Sequence, residues 1–405
     1  MTTKFPRSKP DLGTASVRVR GAISPPPTRK RRRSSPEENE NALHNSIADN
    51  TRNFVTPLPA NAIRVFSWNI NGISPFVQPS ISSFLNPTAN AARSSPSLRG
   101  FLRRNHWPHI VNLQEVKINP SDDATKRAVE KAVNHRGDGP VYAVHFCLPR
   151  DKYNARGFGR KVYGVATIIR KDFLEDEVVA VREVQWDVEG RILVVETKSK
   201  LSIWNIYAVN GTDNPYKDPS TGQVVGTRHD RKLAFHKLLL QECRQLESQG
   251  WRVVLSGDLN ISPRPIDGFP KIRTNPEQHV RNRADYNSKF LDANNMDGLR
   301  AADSFRYLHP ESRKYTWIST TRPWLSSCDR VDHILVSRSI TEGTREAFSH
   351  PCHSTDDQLP QHDDLNSDKP EVSLLEADIL MTEADRATSD HVPIYVTLAM
   401  KKSGV

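Results

Sequence analysis

Short apolar stretches separated by turn-forming residues dominate the chain from residue 63 onward. Short runs of apolar, β-branched and aromatic residues bounded by Gly, Pro, Asn, Asp or Ser are typical of β-strands. Two of these runs are separated by only two residues, at 199 and 200, and therefore predict a hairpin. The pattern predicts strands over residues 63–70, 109–116, 141–146, 163–170, 191–198, 201–209, 251–258, 314–319, 330–337 and 391–400.

One longer segment has the period of a helix. Between residues 230 and 248, apolar side chains recur on one face, and Gly250 follows where such a helix would end. About ten strands with few helices between them predict an α/β protein with more than one sheet. We assign these elements to one domain over residues 61–403. Within it, the acidic, proline-containing stretch 341–376 is predicted to be a loop inserted between the last two strands.

The first sixty residues differ from the rest of the chain. Residues 1–60 are rich in Pro, Ser, Asn and charge and lack apolar periodicity, so we predict a disordered tail. Within this tail, residues 29–33 are consecutive basic residues near prolines and serines. Such a cluster predicts a nuclear import signal that an import receptor binds, and a plain solvated tail is the alternative. Since residues 1–36 contain a single acidic residue, Asp11, a mitochondrial presequence also stays open.

The net charge of +10 matters mainly through its location. Ten of the basic residues lie within residues 1–36, so the rest of the chain carries only +1; within it, residues 351–376 carry −6, which leaves about +7 for the remainder. A moderately basic body with an acidic insertion fits nucleic acid without requiring it. No apolar run approaches the roughly 20 residues of a membrane helix. Four cysteines without a Cys-x-x-Cys pair disfavour a zinc finger and a disulfide framework. We therefore expect a soluble, intracellular monomer with no membrane segment.

Candidate chemistry comes from polar residues at the ends of the predicted strands. Residues two apart along a strand point to one face, so the polar pairs in SWNING and SGDLN each share a face. Polar groups at the edges of neighbouring core strands can form a site on top of a sheet. Turn formation is the alternative for each stretch taken by itself. The residues concerned are Asn69, Asn71, Glu115, Tyr207, Asn210, Asp258, Asn260, Asp332, Asp390 and His391.

The residue types at these strand ends indicate the class of reaction. Oxygen ligands without clustered Cys or several His favour Mg²⁺ or Mn²⁺ over Zn²⁺. The sequence has neither a Gly-x-Ser-x-Gly turn nor a Gly-x-x-x-x-Gly-Lys phosphate loop. These features leave the cleavage of a phosphoester by water. That chemistry needs a metal to neutralise phosphate charge, a carboxylate or imidazole for the proton of water, and Asn or Tyr donors for the oxyanion.

A set of motifs carries a family resemblance. The chain resembles the endonuclease/exonuclease/phosphatase superfamily in SWNING, LQEVK, EGRI, YAVNG, SGDLNISP, DSFRY with YTW, RVDHILVS and SDHVPI, which occur in the family's order. They are most similar to its exonuclease III and apurinic/apyrimidinic endonuclease branch, and the resemblance covers residues 63–400. It implies a four-layer α/β sandwich of two packed, mainly antiparallel β-sheets flanked by helices.

The resemblance also implies roles for the strand-end residues. Glu115 would bind the metal ion, Mg²⁺ or Mn²⁺, with Asn71 and Asp390 as direct or water-mediated ligands. His391 would contact the scissile phosphate or help to activate water, and Asp332 would orient the imidazole.

Asp258 resembles the residue that positions and deprotonates the attacking water, or alternatively protonates the leaving oxygen. Trp317 would form part of a substrate pocket. Abasic-site endonucleases of the animal type place a Trp directly before the Arg of the Arg-x-Asp motif, whereas this chain has Asp329 there. The donors that would orient the phosphate are Asn69, Tyr207, Asn210 and Asn260.

The motifs and the tail lead to one main hypothesis and two alternatives. The main hypothesis is a nuclear, Mg²⁺-dependent phosphodiesterase that acts on damaged duplex DNA, as an abasic-site endonuclease or a 3′-exonuclease. The first alternative is a phosphodiesterase or phosphatase of the same superfamily that acts on RNA, a protein–DNA adduct or a small phosphate ester. The second is a catalytically idle nucleic-acid-binding protein.

Overall fold

The computed structural model describes residues 55–77, 96–155, 163–348 and 372–400. The strands formed by these residues are β1 (Ala62–Asn69), β2 (Ile110–Gln114), β3 (Tyr142–Cys147), β4 (Val165–Arg170), β5 (Val178–Glu183), β6 (Ile192–Thr197), β7 (Leu201–Tyr207), β8 (Pro215–Lys217), β9 (Val224–Thr227), β10 (Arg252–Asp258), β11 (Gly268–Phe269), β12 (Ala302–Asp303), β13 (Trp317–Ile318), β14 (Cys328–Asp329), β15 (Asp332–Val336), β16 (Val372–Ile379) and β17 (Ile394–Met400).

The α-helices of the described residues are mostly short. None of them is long and apolar enough to cross a membrane. They are α1 (Ser74–Val77), α2 (Leu98–Arg104), α3 (Asp123–Val133), α4 (Lys171–Asp176), α5 (Arg228–Ser248), α6 (Gln278–Tyr286), α7 (Ser304–Leu308), α8 (Arg338–Phe348) and α9 (Glu383–Arg386).

Two six-stranded sheets make up the centre of the fold. Sheet I has the order β16-β17-β1-β2-β4-β3, and sheet II has the order β12-β15-β10-β7-β6-β5. In each sheet one central pair is parallel, β1 with β2 and β7 with β10, whereas the other neighbours are antiparallel. Two further small sheets contain β11, β14 and β13 and, separately, β8 and β9. The prediction of two packed, mainly antiparallel sheets is confirmed.

The two parallel pairs explain why polar strand ends come together. Parallel neighbours end at the same edge of a sheet. In sheet II, Tyr207 and Asp258 are register partners at the ends of β7 and β10. In sheet I, Asn69 is the partner of Gln114 at the ends of β1 and β2. The Asn69 Nδ2 atom donates to Asp258 Oδ2 over 3.0 Å, so the two edges face each other.

Alternation over the last four residues of β1, FSWN, places apolar side chains on the outer face of sheet I and polar side chains between the sheets. Phe66 and Trp68 pack against Phe101 of α2, each with a ring-centre distance of 5.3 Å. Ser67 and Asn69 point to the opposite face, because successive residues of a strand alternate. The sequence FSWN therefore supplies a helix-packing surface and a site-facing surface from one strand.

Sheet II has the same arrangement. Trp204 and Ile206 of β7 pack in one cluster with Phe235 and Leu239 of α5. Asn205, which lies between them in sequence, points toward sheet I and bonds to its strands. Helices thus cover the outer face of each sheet, and the layers follow the predicted order of helix, sheet, sheet, helix.

Buried polar side chains lie between the two sheets. Asn112 Nδ2 donates to Ser256 Oγ over 2.7 Å, and Gln114 Nε2 donates to Asn205 Oδ1 over 2.8 Å. Asn205 Nδ2 donates in turn to the backbone oxygen of Ala166 over 2.9 Å. A buried polar group that loses its partner costs about 1–3 kcal/mol. These bonds therefore favour one alignment of sheet on sheet.

The structure differs from the prediction most clearly over residues 341–376. Helix α8 continues to Phe348 and strand β16 begins at Val372, so the predicted loop is wrong at both ends. The residues between these two elements lie outside the described ranges. The acidic composition concealed β16, because Glu376 forms a partly buried ion pair with Arg64 rather than facing solvent freely.

Smaller differences concern the ends of the predicted elements. The strand predicted over 314–319 is only Trp317–Ile318. The strands that were not predicted, besides β16, are β5 and the short strands β8, β9, β11, β12 and β14. Val55, which the sequence placed in the tail, packs into the core of sheet I. The remaining tail residues 1–54, with the basic cluster at 29–33, lie outside the described residues.

We expect Asn205→Leu to lower the free energy of unfolding by about 3 kcal/mol, because it removes the buried hydrogen bonds that Asn205 makes with Gln114 and with the backbone oxygens of Leu113 and Ala166. Urea denaturation at pH 7 measures the change. Asn294→Ala, at an exposed position, is the control and should shift the value by less than about 0.5 kcal/mol. Equal stability of the two variants would contradict a structural role for the polar layer.

Candidate active site

Side chains from both sheet edges meet around Asn69. Its Nδ2 atom donates to Glu115 Oε1 over 3.1 Å and to Asp258 Oδ2 over 3.0 Å. Tyr207 Oη donates to the same Glu115 oxygen over 2.8 Å. Asn69 Oδ1 accepts from the backbone N of Asn71 over 3.1 Å, which fixes the orientation of the amide. Residues that the sequence placed at separate strand ends therefore form one hydrogen-bonded group.

Glu115 is an ionised carboxylate at this edge. Burial raises the pKa of its carboxyl, but Lys117 and hydrogen bonds from Asn69 and Tyr207 outweigh burial and lower the pKa below its ordinary value. The Lys117 Nζ atom lies 2.9 Å from Glu115 Oε2. Glu115 has a φ of 51°, in the left-handed region, just past the end of β2. The chain leaves the sheet at the point where the carboxylate is held.

The three predicted metal ligands also lie together. Lys117 Nζ contacts both Asn71 Oδ1 and Glu115 Oε2. Asn71 Nδ2 donates to Asp390 Oδ1 over 3.0 Å. The oxygens of Asn71 and Glu115 thus converge on one positive charge, the Lys117 ammonium. Carboxylate and amide oxygens without sulfur suit a hard ion, so these residues fit Mg²⁺ or Mn²⁺.

Asp258 is a buried carboxylate with a raised proton affinity. Burial raises its pKa to about 7, Asp332 adds to the rise, and His391 opposes it. The backbone N of Asn260 donates to Asp258 Oδ1 over 2.9 Å, and the Asn260 side-chain Nδ2 donates to Asp258 Oδ2 over 3.3 Å. A φ of 53° at Asn260 turns the chain so that both contacts form. An acid that titrates near neutrality can both accept and return a proton.

Asp332 holds His391 in its protonated form. His391 Nδ1 lies 2.8 Å from Asp332 Oδ2. Burial would lower the pKa of the imidazole, but the Asp332 carboxylate outweighs burial and raises it to about 10, with Asp390 and Asp258 adding to the rise. The second carboxylate oxygen of Asp332, Oδ1, is buried and has no hydrogen-bond partner in the described part of the chain.

Asp258, Asp332 and His391 form a compact group whose ligand atoms all lie within 4.8 Å of one another. Such a group could hold a cation, whereas the sequence assigned the ion to the Glu115 side of the site. Protonated His391 donates its Nδ1 hydrogen to Asp332, so that nitrogen has no lone pair to offer an ion. This argument favours Glu115, with its oxygen neighbours, as the metal position.

Buried ion pairs lie behind Asp332 and were not identified from the sequence. Arg330 pairs with Asp267 at 2.8 Å and with Asp303 at 2.7 Å, and all three side chains are buried. Asp267 follows SGDLNISP by four residues, and Asp303 begins DSFRY, so both lie in or beside motifs that the sequence supplied. The pairs anchor the chain immediately before β15 and thereby the backbone of Asp332.

The predicted substrate residue Trp317 lies beside the site. Its indole Nε1 donates to Asp390 Oδ2 over 3.0 Å, and its strand partner is Asp329. Burial raises the pKa of Asp329 to about 6, although Arg273 lowers it and Ser262 Oγ donates to it over 3.3 Å. A carboxylate that titrates near neutrality therefore stands next to the indole.

Asn210 has a different setting from the other predicted donors. It lies three residues past the end of β7 and is half-buried. No hydrogen bond of its side chain to another described residue is found. Its amide is therefore not committed to orienting a carboxylate, in contrast to Asn69 and Asn260.

Comparisons with known proteins point to one family. A sequence profile of the Endonuclease/Exonuclease/phosphatase family matches residues 66–391. The chain is 25% identical over 320 residues to a Mus musculus protein named DNA-(apurinic or apyrimidinic site) endonuclease 2, covering 70% of this chain and 56% of that protein. It is 22% identical over 271 residues to exodeoxyribonuclease III of Haemophilus influenzae, covering 64% and 89%. The chain thus spans about half the length of the mouse relative.

A solved structure supports the fold. The crystal structure of the Xenopus laevis APE2 catalytic domain superposes with a TM-score of 0.51 at 21% identity, covering 84% of this chain and 92% of that domain.

We expect Asp332→Asn to lower the pKa of His391 from about 10 toward its ordinary value of about 6.5, because the carboxylate that opposes burial most strongly is removed. NMR titration of the imidazole ring measures the change. His109, whose pKa burial and Arg170 lower to about 3, is the internal control and should not move. An unchanged titration of His391 would contradict the ion pair.

Proposed function

The chain belongs to the endonuclease/exonuclease/phosphatase family, and we propose that it hydrolyses DNA phosphodiester bonds with the help of a divalent metal ion. The observation that carries the proposal is the meeting of Glu115, Asp258 and the pair of Asp332 with His391 between the two sheets. Asn69 bonds directly to the first two and holds both sheet edges together. An ionised carboxylate, an acid near neutrality and a protonated imidazole are the groups that this hydrolysis uses.

In this proposal, Asp258 accepts the proton of the attacking water and can return it to the leaving oxygen. Its pKa of about 7 suits both directions of transfer at neutral pH. Asn260 donates to both carboxylate oxygens and so restricts the rotation of Asp258.

His391 is proposed to bind the scissile phosphate. A protonated imidazole cannot accept a proton from water, but its Nε2 hydrogen can be donated to a phosphate oxygen. Asn69 and Tyr207 already donate to carboxylates, so we assign them to orienting Glu115 and Asp258. Asn210 is then the remaining amide donor for the phosphate.

Glu115, Asn71 and Asp390 would hold the metal ion. When bound, Mg²⁺ or Mn²⁺ supplies positive charge that stabilises the negative charge developing on the phosphate. The ammonium of Lys117 contacts the oxygens of Asn71 and Glu115 and contributes positive charge at this side of the site.

The choice of DNA as substrate is supported by the names of the similar proteins, an apurinic or apyrimidinic site endonuclease and an exodeoxyribonuclease. Within DNA repair we propose activity as an abasic-site endonuclease or a 3′-exonuclease on damaged duplex. A second candidate function is the hydrolysis of a different phosphoester, in RNA or in a protein–DNA adduct. Asp329 beside Trp317 favours it, because a carboxylate there would make a pocket for an abasic sugar polar. Nuclear location through residues 29–33 and a monomeric state are further proposals from the sequence.

A substrate panel tests the proposed function. Purified protein is assayed with Mg²⁺ on duplexes carrying an abasic analogue, a blocked 3′ end or no lesion, and on single-stranded DNA and RNA. We expect cleavage of damaged duplex DNA, loss of cleavage in excess chelator, and a decrease of at least about 100-fold in Asp258→Asn because a proton-transfer group is lost. Cleavage of RNA alone would transfer support to the second candidate, and no cleavage of any substrate would overturn hydrolysis.

Glu115→Gln should raise the Mg²⁺ concentration needed for half-maximal activity by about tenfold or more, because an anionic oxygen ligand becomes neutral. Mn²⁺ binding followed by electron paramagnetic resonance measures affinity without relying on activity. Glu130→Gln, at an exposed position, is the matched control. Equal Mn²⁺ affinity in both variants would place the ion elsewhere.

A further inference from the structure

The helix α5 directs a lysine into the interior beneath the candidate site. Lys232 lies in the second turn of α5, and its side chain is buried. Its Nζ atom donates to the backbone oxygens of Val209 and Asn260, each over 2.9 Å, and approaches that of Leu259 at 3.4 Å. No ion pair of Lys232 with another described residue is found. The ammonium is therefore held by backbone carbonyls alone.

These carbonyls belong to the two loops that carry functional groups. Val209 immediately precedes Asn210 in the loop after β7, and Asn260 is itself the residue that orients Asp258 after β10. A second contact already joins the loops, because Asn260 Nδ2 donates to the oxygen of Ala208 over 3.0 Å. Lys232 binds the backbone oxygen of Asn260, whereas Ala208 binds its side-chain nitrogen, so Asn260 is held at both groups.

The first turns of α5, from which Lys232 extends, are held firmly in place. The helix α5 begins with a capping box in which Thr227 and Asp230 bond to each other's backbone. On the same turn, Arg228 and Arg231 pair with buried Glu189 at 2.7 Å and 3.1 Å. Both contacts fix the first turns of the helix. Lys232 extends from this fixed part of the helix and therefore restrains the loops that its ammonium binds.

We propose that Lys232 is a positioning residue for the reaction: its buried ammonium clamps the loops after β7 and β10 and thereby sets the position of Asn260 against Asp258. A methionine would fill the same space without the cost of burying a charge, but it could not satisfy three carbonyls. Burial lowers the pKa of Lys232 to about 7, with Asp258 opposing and Arg191 and Arg273 adding to the shift, so near neutral pH the amino group donates to the carbonyls in both its charged and its neutral form.

The role assigned to Lys232 rests on the proposed function, so the first test does not use activity. Hydrogen exchange is followed in Lys232→Met and in Lys314→Met, a matched variant of a second buried lysine that instead pairs with Asp378. We expect exchange over residues 208–211 and 259–262 to accelerate by about tenfold in Lys232→Met only, because hydrogen bonds that hold these loops are lost. Unchanged exchange in both loops would overturn the proposal whether or not the protein is a nuclease.

The second test asks whether Lys232 acts through Asn260. We expect Lys232→Met to lower kcat by about 10- to 100-fold with KM within about twofold, as a misplaced catalytic group does. In the double variant with Asn260→Ala, the loss should be no larger than for Asn260→Ala alone, whereas Lys314→Met should combine additively. Additive losses for Lys232 would overturn the assignment.

If Lys232→Met does not fold, Lys232→Gln serves in both tests, since its amide removes the charge but can still donate to two carbonyls. We expect it to show the same pattern with smaller changes, and wild-type behaviour in both tests would contradict the clamp. Wild-type protein that is inactive on every substrate would reject the proposed function while the exchange measurement still decides the role of Lys232.

Discussion

The side-chain amide of Asn69 joins the two sheets at the edge where the candidate catalytic residues lie. Asn69 at the end of β1 donates from a single nitrogen to Glu115 of its own sheet and to Asp258 of the other. Its oxygen accepts from the backbone of Asn71, so a flipped amide would lose that bond and place its oxygen against the carboxylate oxygens of Glu115 and Asp258. The buried bonds deeper in the interface, such as that between Asn112 and Ser256, extend the same constraint away from the edge.

Because these bonds fix the carboxylates in different surroundings, neighbouring carboxyl groups have different pKa values. Glu115 faces an ammonium and two donors and has a lowered pKa, whereas Asp258 is more deeply enclosed near Asp332 and has a raised one. The negative charge of Asp332 in turn raises the pKa of His391 and so keeps the imidazole protonated. Groups of one chemical type thus acquire separate roles from their surroundings, which is how acid and base functions are generally divided within a site.

The sequence predicted the strands and the polar strand ends well, because both depend on short-range patterns. The alternation in FSWN and the polar pair in SGDLN are visible without any tertiary information. It could not predict strand β16, whose acids pair with bases far away in the sequence, Glu376 with Arg64 and Asp378 with Lys314. The roles of Lys232 and Arg330 were hidden for the same reason, since a lysine on a helix is ordinarily at the surface and only the fold reveals what it contacts.

The order of strands in sheet I also bears on how the protein is made. The first strand, β1, pairs with the last, β17, and Ala62 meets Ala399 across more than 300 residues. Contacts so distant in sequence form late and slowly. During synthesis, one edge of β1 stays unpaired until β17 leaves the ribosome, and His391 leaves the ribosome only just before β17. Between the synthesis of β1 and that of β17, the nascent chain therefore carries an incomplete site, and the open edge of β1 is prone to pair with other chains.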